Sequence, residues 1–353
     1  MTYTDKLSRL LAKAETTYGA DPSPTAADNL LYAENIQIDP DSEMIERPGE
    51  TPHASGLKPV EGQLVAPVSL QVELGPFGID TGSELPPWHP IAIAGGSIRT
   101  ASTGGDNEYA QYQRASANHG SAWLEHYMRS DDAATEILSQ VGGVRGNTKI
   151  MIPGNGRWMM QLDGNAANGS TSNTGAGPGT NDYDDLALCA LTATGHQSIA
   201  RIYVEDDSLN YYGLTNAYVH SAEIDYGFTV NIKQALGVRE AKLSPGVMTC
   251  KLALDMLGLS TFNPRAIKSA RKTVRVTVYN TDLTWNVLEP TVSGDYILWD
   301  GTFTIRECKK AILAGQRVWE LDLIAAFPQV SSDGGGVRSA ENGLLRCGTY
   351  TAP

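Results

Sequence analysis

The chain has 353 residues, 27 Lys and Arg against 40 Asp and Glu, a formal net charge of -13, 41% hydrophobic residues and 19% charged residues. This length suits about two domains, and the apolar fraction suffices for a packed core, which excludes wholesale disorder. The acidic excess argues against a nucleic-acid surface built from clustered Lys and Arg, but not against a surface that DNA must slide past.

Taken in chain order, the first pattern is Leu7, Leu10, Leu11 and Ala14 at i, i+3, i+4 and i+7 behind a capping Thr4. This spacing predicts a short N-terminal amphipathic helix over about 5–17, ending near Gly19. Asp5, Lys6, Arg9 and Lys13 interrupt the leucines, so no signal-peptide core forms and no export by the usual secretory route is expected. The longest apolar runs, such as 323–327, fall far short of the ~18–20 residues that span a bilayer. Residues 39–62 hold Pro40, Pro48, Gly49, Pro52, Gly56, Pro59 and Gly62 without clear periodicity and are expected as a long loop.

Alternation then predicts strands over 34–38, 64–74, 122–128, 148–152 and 157–162. Gly142-Gly143-Val144-Arg145-Gly146-Asn147 is read as a tight β-turn rather than a phosphate cradle, because a strand and not a helix follows it. The stretch 164–179, GNAANGSTSNTGAGPG, offers almost no side chains that pack. It is expected as an exposed loop or linker between a first β domain, 1–163, and a second, 180–353. Further strands are predicted over 199–204, 247–254, 274–279, 302–305 and 318–324. The fold class is mainly β, with sandwich or barrel domains.

The two halves carry similar text. Ala33-Glu34-Asn35-Ile36 before 68–74 parallels Ala222-Glu223-Ile224-Asp225 before 251–257, as an old duplication would leave it. A rival register lays Ser121–Asp132 over Ser198–Asp207.

Catalytic patterns are missing from the sequence. His53, His89, His119, His126, His196 and His220 form no H-E-x-x-H pattern and adjoin no nucleophile motif, so no enzyme and no cofactor are expected. Glu125 and His126 are neighbours on a strand, point to opposite faces, and read as polar surface residues. Asp182, Asp184 and Asp185, and Glu205, Asp206 and Asp207, read as solvated turns that lack the glycine and distal Glu of an EF-hand. Cys189, Cys250, Cys308 and Cys347 contain no C-x-x-C pair and are expected to be reduced, mostly buried thiols. Most tryptophans stand inside strand patterns, as core or interface anchors do. Arg265, Lys268, Arg271, Lys272 and Arg275 form the one basic concentration and, without interleaved aromatics, suit an acidic surface on a neighbouring subunit.

Two segments carry a resemblance. Residues 10–29 contain Glu15-Thr16-Thr17-Tyr18-Gly19 and then Asp21-Pro22-Ser23-Pro24-Thr25, and residues 135–147 end in Gly143-Val144-Arg145-Gly146. Together with the strands that follow each, these resemble the tail tube (major tail) proteins of long-tailed, siphovirus-type bacteriophages, over about a third of the chain.

The resemblance implies a non-enzymatic virion protein, made in the host cytoplasm, whose β domains close into rings that stack into a tube for genome delivery. Its partners would be further copies of itself and other tail proteins such as the tape measure, tail terminator and distal tail protein. DNA would pass through without specific binding, and no membrane is involved. Two similar halves favour a pseudo-sixfold ring of three subunits over a ring of six. An acidic lumen would repel phosphate, with Glu73, Glu125, Asp131, Asp132, Glu205, Asp206 and Asp207 as its candidate lining. The 39–62 loop would reach an adjacent ring through Asp41, Glu43, Glu46, Arg47, Glu50 and Lys58. A competing expectation is a secreted β-sandwich module that binds a glycan or calcium.

Overall fold

The structure is a computed structural model and describes residues 3–47, 57–75, 84–102, 107–130, 136–154, 156–174, 198–205, 211–213, 217–235, 238–280, 294–326 and 343–350. The fold is mainly β, with large antiparallel ladders and three short helices among the described residues. The first unit runs β1 (Tyr3–Ala14), α1 (Ala26–Asn29), β2 (Leu30–Leu31), β3 (Ala33–Ile38), β4 (Asp41–Arg47), β5 (Leu57–Val65), β6 (Pro67–Leu74), α2 (His89–Ala94), β7 (Ser97–Ser102), β8 (Asn107–Arg114), β9 (Ala122–Ser130), β10 (Glu136–Pro153), β11 (Trp158–Asn165) and β12 (Asn168–Thr174). The second runs β13 (Ser198–Glu205), β14 (Tyr211–Gly213), β15 (Ala217–Asp225), β16 (Thr229–Ala235), β17 (Val238–Ser244), β18 (Thr249–Asp255), α3 (Pro264–Ser269), β19 (Thr273–Asn280), β20 (Gly294–Leu313), β21 (Gln316–Ala325) and β22 (Leu344–Tyr350).

Four sequence expectations are corrected. The N-terminal segment is strand β1, not a helix. Arg9, Leu10, Leu11 and Ala12 are all buried in succession, which an amphipathic helix could not achieve, while β9 pairs along β1 and β2 joins at Leu10 and Leu11. Leucines at helical spacing are equally consistent with a strand buried on both faces, and here tertiary pairing overrides helix propensity. The 39–62 segment is not a plain loop, because β4 and β5 form a hairpin. Register shifts between Ser42 and Met44 and between Ile45 and Arg47 break the alternation that would have revealed it. Within 164–179, Gly164 and Asn165 finish β11, and Asn168–Thr174 forms β12 on the edge of β10. Small polar side chains do not prevent a strand when a partner strand satisfies its backbone.

The Gly142–Asn147 segment is likewise no turn. It lies inside the 18-residue β10, where Gly143 takes φ 66 and the register to β9 shifts between Val141 and Val144. This bulge lets one strand serve two ladders: 136–144 lies against β9 and β12, and 145–153 against β11 and β15. The 20-residue β20 does the same. Its first part pairs with β19 and β22 and its last part with β21, with a register shift between Ile305 and Glu307.

The two units repeat one order of ladders. In the first, β3 pairs with β6, β6 with β11 and β11 with β10; in the second, β15 pairs with β18, β18 with β21 and β21 with β20. Each β3–β6 or β15–β18 connection carries a separate two-stranded hairpin, β4–β5 or β16–β17. A short helix with a buried proline follows in both, at Pro90 and Pro264. Residue equivalence follows from the register. Trp158 faces Leu74 and Trp319 faces Leu254, and both tryptophans are fully buried. Ala33 faces Val72 and Ala222 faces Leu252, so Ala33-Glu34 and Ala222-Glu223 hold the same place, as the first sequence register has it. That register's second string is three residues off, since the counterpart of Val72 is Leu252. The rival register is not supported by the ladders, which match β9 with β19 and β1 with β13.

Candidate functional site

The two segments that carry the resemblance meet in space. Glu15 accepts hydrogen bonds from the Gly143 N–H (2.6 Å), the Gly19 N–H (2.8 Å) and the Ser121 hydroxyl (2.6 Å). Tyr18 donates to the Gly143 carbonyl (3.2 Å) and accepts from the Ala241 N–H (2.6 Å). The Arg145 guanidinium stacks 4.4 Å from the Tyr18 ring centre and donates to Glu240 (2.8 Å) and to the carbonyls of Ala241, Gly120 and His119. A Cβ on Gly143 would come within 2.8 Å of the Tyr18 ring, so both its φ and the close approach require glycine. Burial, as the largest influence, pushes the Tyr18 hydroxyl above its usual pKa. The cluster fastens β16–β17 of the second unit onto the first and holds no nucleophile–base pair.

A second feature was not anticipated. The strands β3-β6-β11-β10-β15-β18-β21-β20 form one continuous antiparallel run through both units, and β10 and β15 join the units in register from Lys149–Asp225 to Pro153–Ser221. Alternation gives this run one apolar and one polar face. On β6, Val68, Leu70, Val72 and Leu74 are buried, while Ser69, Gln71 and Glu73 are not. A hollow of about 850 Å³ opens on this run, and Arg157, Glu223, Lys251, Glu307, Glu320 and Asp322 of the polar face help to line it.

Register orders this face into rows. One row runs Glu34, Gln71, Gln161, Lys149, Asp225 and Thr249, and the next runs Glu73, Met159, Met151, Glu223, Lys251, Asp322 and Glu307. Asp163, Asp255 and Glu320 share the face, so carboxylates outnumber its lysines and arginines. Arg157 holds Glu34 and Glu73 at 3.0 Å each, and the hydrogen bonds it donates to Tyr32 and Glu73 raise its pKa. Lys149 lies 3.8 Å from Asp163, and Arg306 reaches Asp322 at 2.6 Å.

Of the lumen candidates, Glu73 lies on this polar face. Glu125 does not: it is buried on β9 and accepts from Trp123 (3.1 Å), Tyr127 (2.8 Å) and Gln140 (2.8 Å). Its neighbour His126 is buried too, so neither is a surface residue. Glu205 ends β13, and Asp131, Asp132, Asp206 and Asp207 lie outside the described residues, as do Asp182, Asp184 and Asp185. Asp41, Glu43, Glu46 and Arg47 stand on β4 and Lys58 on β5, whereas Glu50 lies outside the described residues.

The basic group divides. Arg265 and Lys268 are exposed on α3, and Arg271 is exposed just after it. Lys272 is half-buried, and Arg275 is buried and bound in two places to Asp300, at 2.8 and 3.0 Å. The Arg275 charge is therefore satisfied inside the chain by the neighbouring strand rather than offered to another subunit. Trp88, Trp158, Trp299 and Trp319 are fully buried and supply no platform for a sugar. Cys250, Cys308 and Cys347 are free thiols, with Cys250 and Cys347 buried. Among the described residues no three His, Cys, Asp or Glu gather as a metal site would require, and no helix is long and apolar enough to cross a membrane.

No family model matches the chain, and no curated protein sequence matches it.

Proposed function

We propose that the chain is a structural subunit that self-assembles into the tail tube of a long-tailed bacteriophage, with no catalytic role. The observation that carries this reading is the repeated unit: two sets of four strands, in the same order, merge side by side into one sheet with an acid-rich polar face. A sheet that curves and extends by adding equal units is the element from which a closed tube wall is made. A carboxylate-rich lining repels phosphate and lets DNA pass without gripping it, the opposite of a surface that binds by counterion release.

On this reading Glu73, Asp163, Glu223, Glu320 and Asp322 line the lumen, and three chains complete a ring of six units. The hairpin β4–β5 is the counterpart of β16–β17, which inside the chain lies across the other unit at Tyr18 and Arg145. It carries contacts to neighbouring copies and between rings. Arg265, Lys268 and Arg271 offer positive charge to an acidic neighbour.

Electron microscopy of the purified protein across a concentration series tests the reading. Stacked rings or hollow tubes are the expected result, and monodisperse monomers at every concentration, with and without tail-tip complexes as initiators, would contradict it.

A further inference from the structure

The join between the two units shows how a second copy would be held. Inside the chain, Lys149–Pro153 of β10 pairs with Ser221–Asp225 of β15 on the side where β9 leaves off. Among the described residues, the matching positions elsewhere are open. Among the described residues, 305–313 of β20 pair only with β21, and β3 pairs only with β6. Among the described residues each is an edge strand whose outward N–H and C=O groups have no ladder partner, a ready template for strand addition.

Register states which residues would meet. Ile150 and Cys308 hold the same place, because they face Met160 and Leu321, which in turn face Val72 and Leu252. Met151 therefore corresponds to Lys309 and Ile152 to Lys310, just as Ala222 and Glu223 correspond to Ala33 and Glu34. Inside the chain Met151 faces Glu223 and Ile152 faces Ala222.

We propose that the end of β20 pairs antiparallel with β3 of a second copy of this chain, with Lys309 opposite Glu34 and Lys310 opposite Ala33, reproducing the β10–β15 join. The proposal rests on the ring reading above and adds the partner surface and its register. One independent feature agrees with it. The register sets a lysine opposite a glutamate, a favourable cross-strand pair.

The test is a double variant, Ala33→Cys with Lys310→Cys, in a background carrying Cys189→Ser and Cys308→Ser, oxidised mildly and run without reductant. Directly opposed Cα atoms lie within disulfide reach, so covalent dimers and trimers are expected, and neither single variant should give them. Tubes seen by microscopy without these bands would overturn the join and leave the tube reading standing. Failure of the background protein to assemble at all would overturn both. A charge swap tests the same contact without cysteines. Lys309→Glu should lower the assembled fraction at least tenfold with unchanged monomer melting, and adding Glu34→Lys should restore assembly. A single variant that assembles normally would overturn the register.

Discussion

The two units share a ladder order but differ in what surrounds it. In the first, α2 is followed by the additional hairpin β7–β8, which crosses to the second unit and pairs along β22; in the second, α3 leads directly to β19. At matching places in the two helices, the first unit has Trp88-His89-Pro90 and the second Phe262-Asn263-Pro264. Asn263 caps its helix by accepting from the Ala266 N–H, while His89 turns its ring to the Tyr112 hydroxyl at 2.9 Å. A common backbone thus tolerates different local chemistry provided that the buried positions stay apolar, as Trp88 and Phe262 do.

The sharpest way to break this equivalence is at the paired tryptophans. Trp158→Ala and Trp319→Ala should each cost about 3–5 kcal/mol in urea unfolding, and by similar amounts. A cost confined to one would show that the units do not bear load alike. Next comes the cluster peculiar to the first unit. Glu15→Ala removes the acceptor for two backbone N–H groups and a hydroxyl, and should cost about 1–3 kcal/mol.

The helix comparison predicts a pH effect. Burial, with Arg99 as the lesser influence, lowers the His89 pKa to about 4. The folded state therefore disfavours the protonated ring, and His89 contributes stability that is present above about pH 6.5 and lost as pH falls toward 4. His89→Asn, which installs the second unit's residue, should flatten the fall in melting temperature over that window, and an unchanged slope would remove His89 from the account. The smallest effect on stability is expected on the polar face. Glu320→Gln should shift unfolding by less than about 0.5 kcal/mol. If the face lines a channel, Glu320→Lys with Asp322→Lys should slow DNA delivery through intact tubes, and unchanged delivery would count against that role.

Much of the fold could be read in the sequence, because strands with one buried face declare themselves by alternation, as 68–74 and 318–324 do. What could not be read depended on partners distant in the chain. Leu10, Leu11 and Ala12 look helical until β9 and β2 cover them, and Asn168–Thr174 looks like a linker until β10 pairs with it. The acidic face was partly legible: Glu73 was found from alternation, but Asp163, Glu223 and Asp322 join it only through register. Glu125 shows the converse, since alternation assigns a face without telling whether that face is covered.

The central claim is that the repeated unit, not the chain, is the building block of a closed ring. Cryo-electron microscopy of assembled protein, with the number of chains per ring counted in end views, tests it most directly. Three chains around a pseudo-sixfold lumen are predicted, with β20 of each chain beside β3 of the next. Rings of six chains, or an assembly in which those two strands lie apart, would contradict the account.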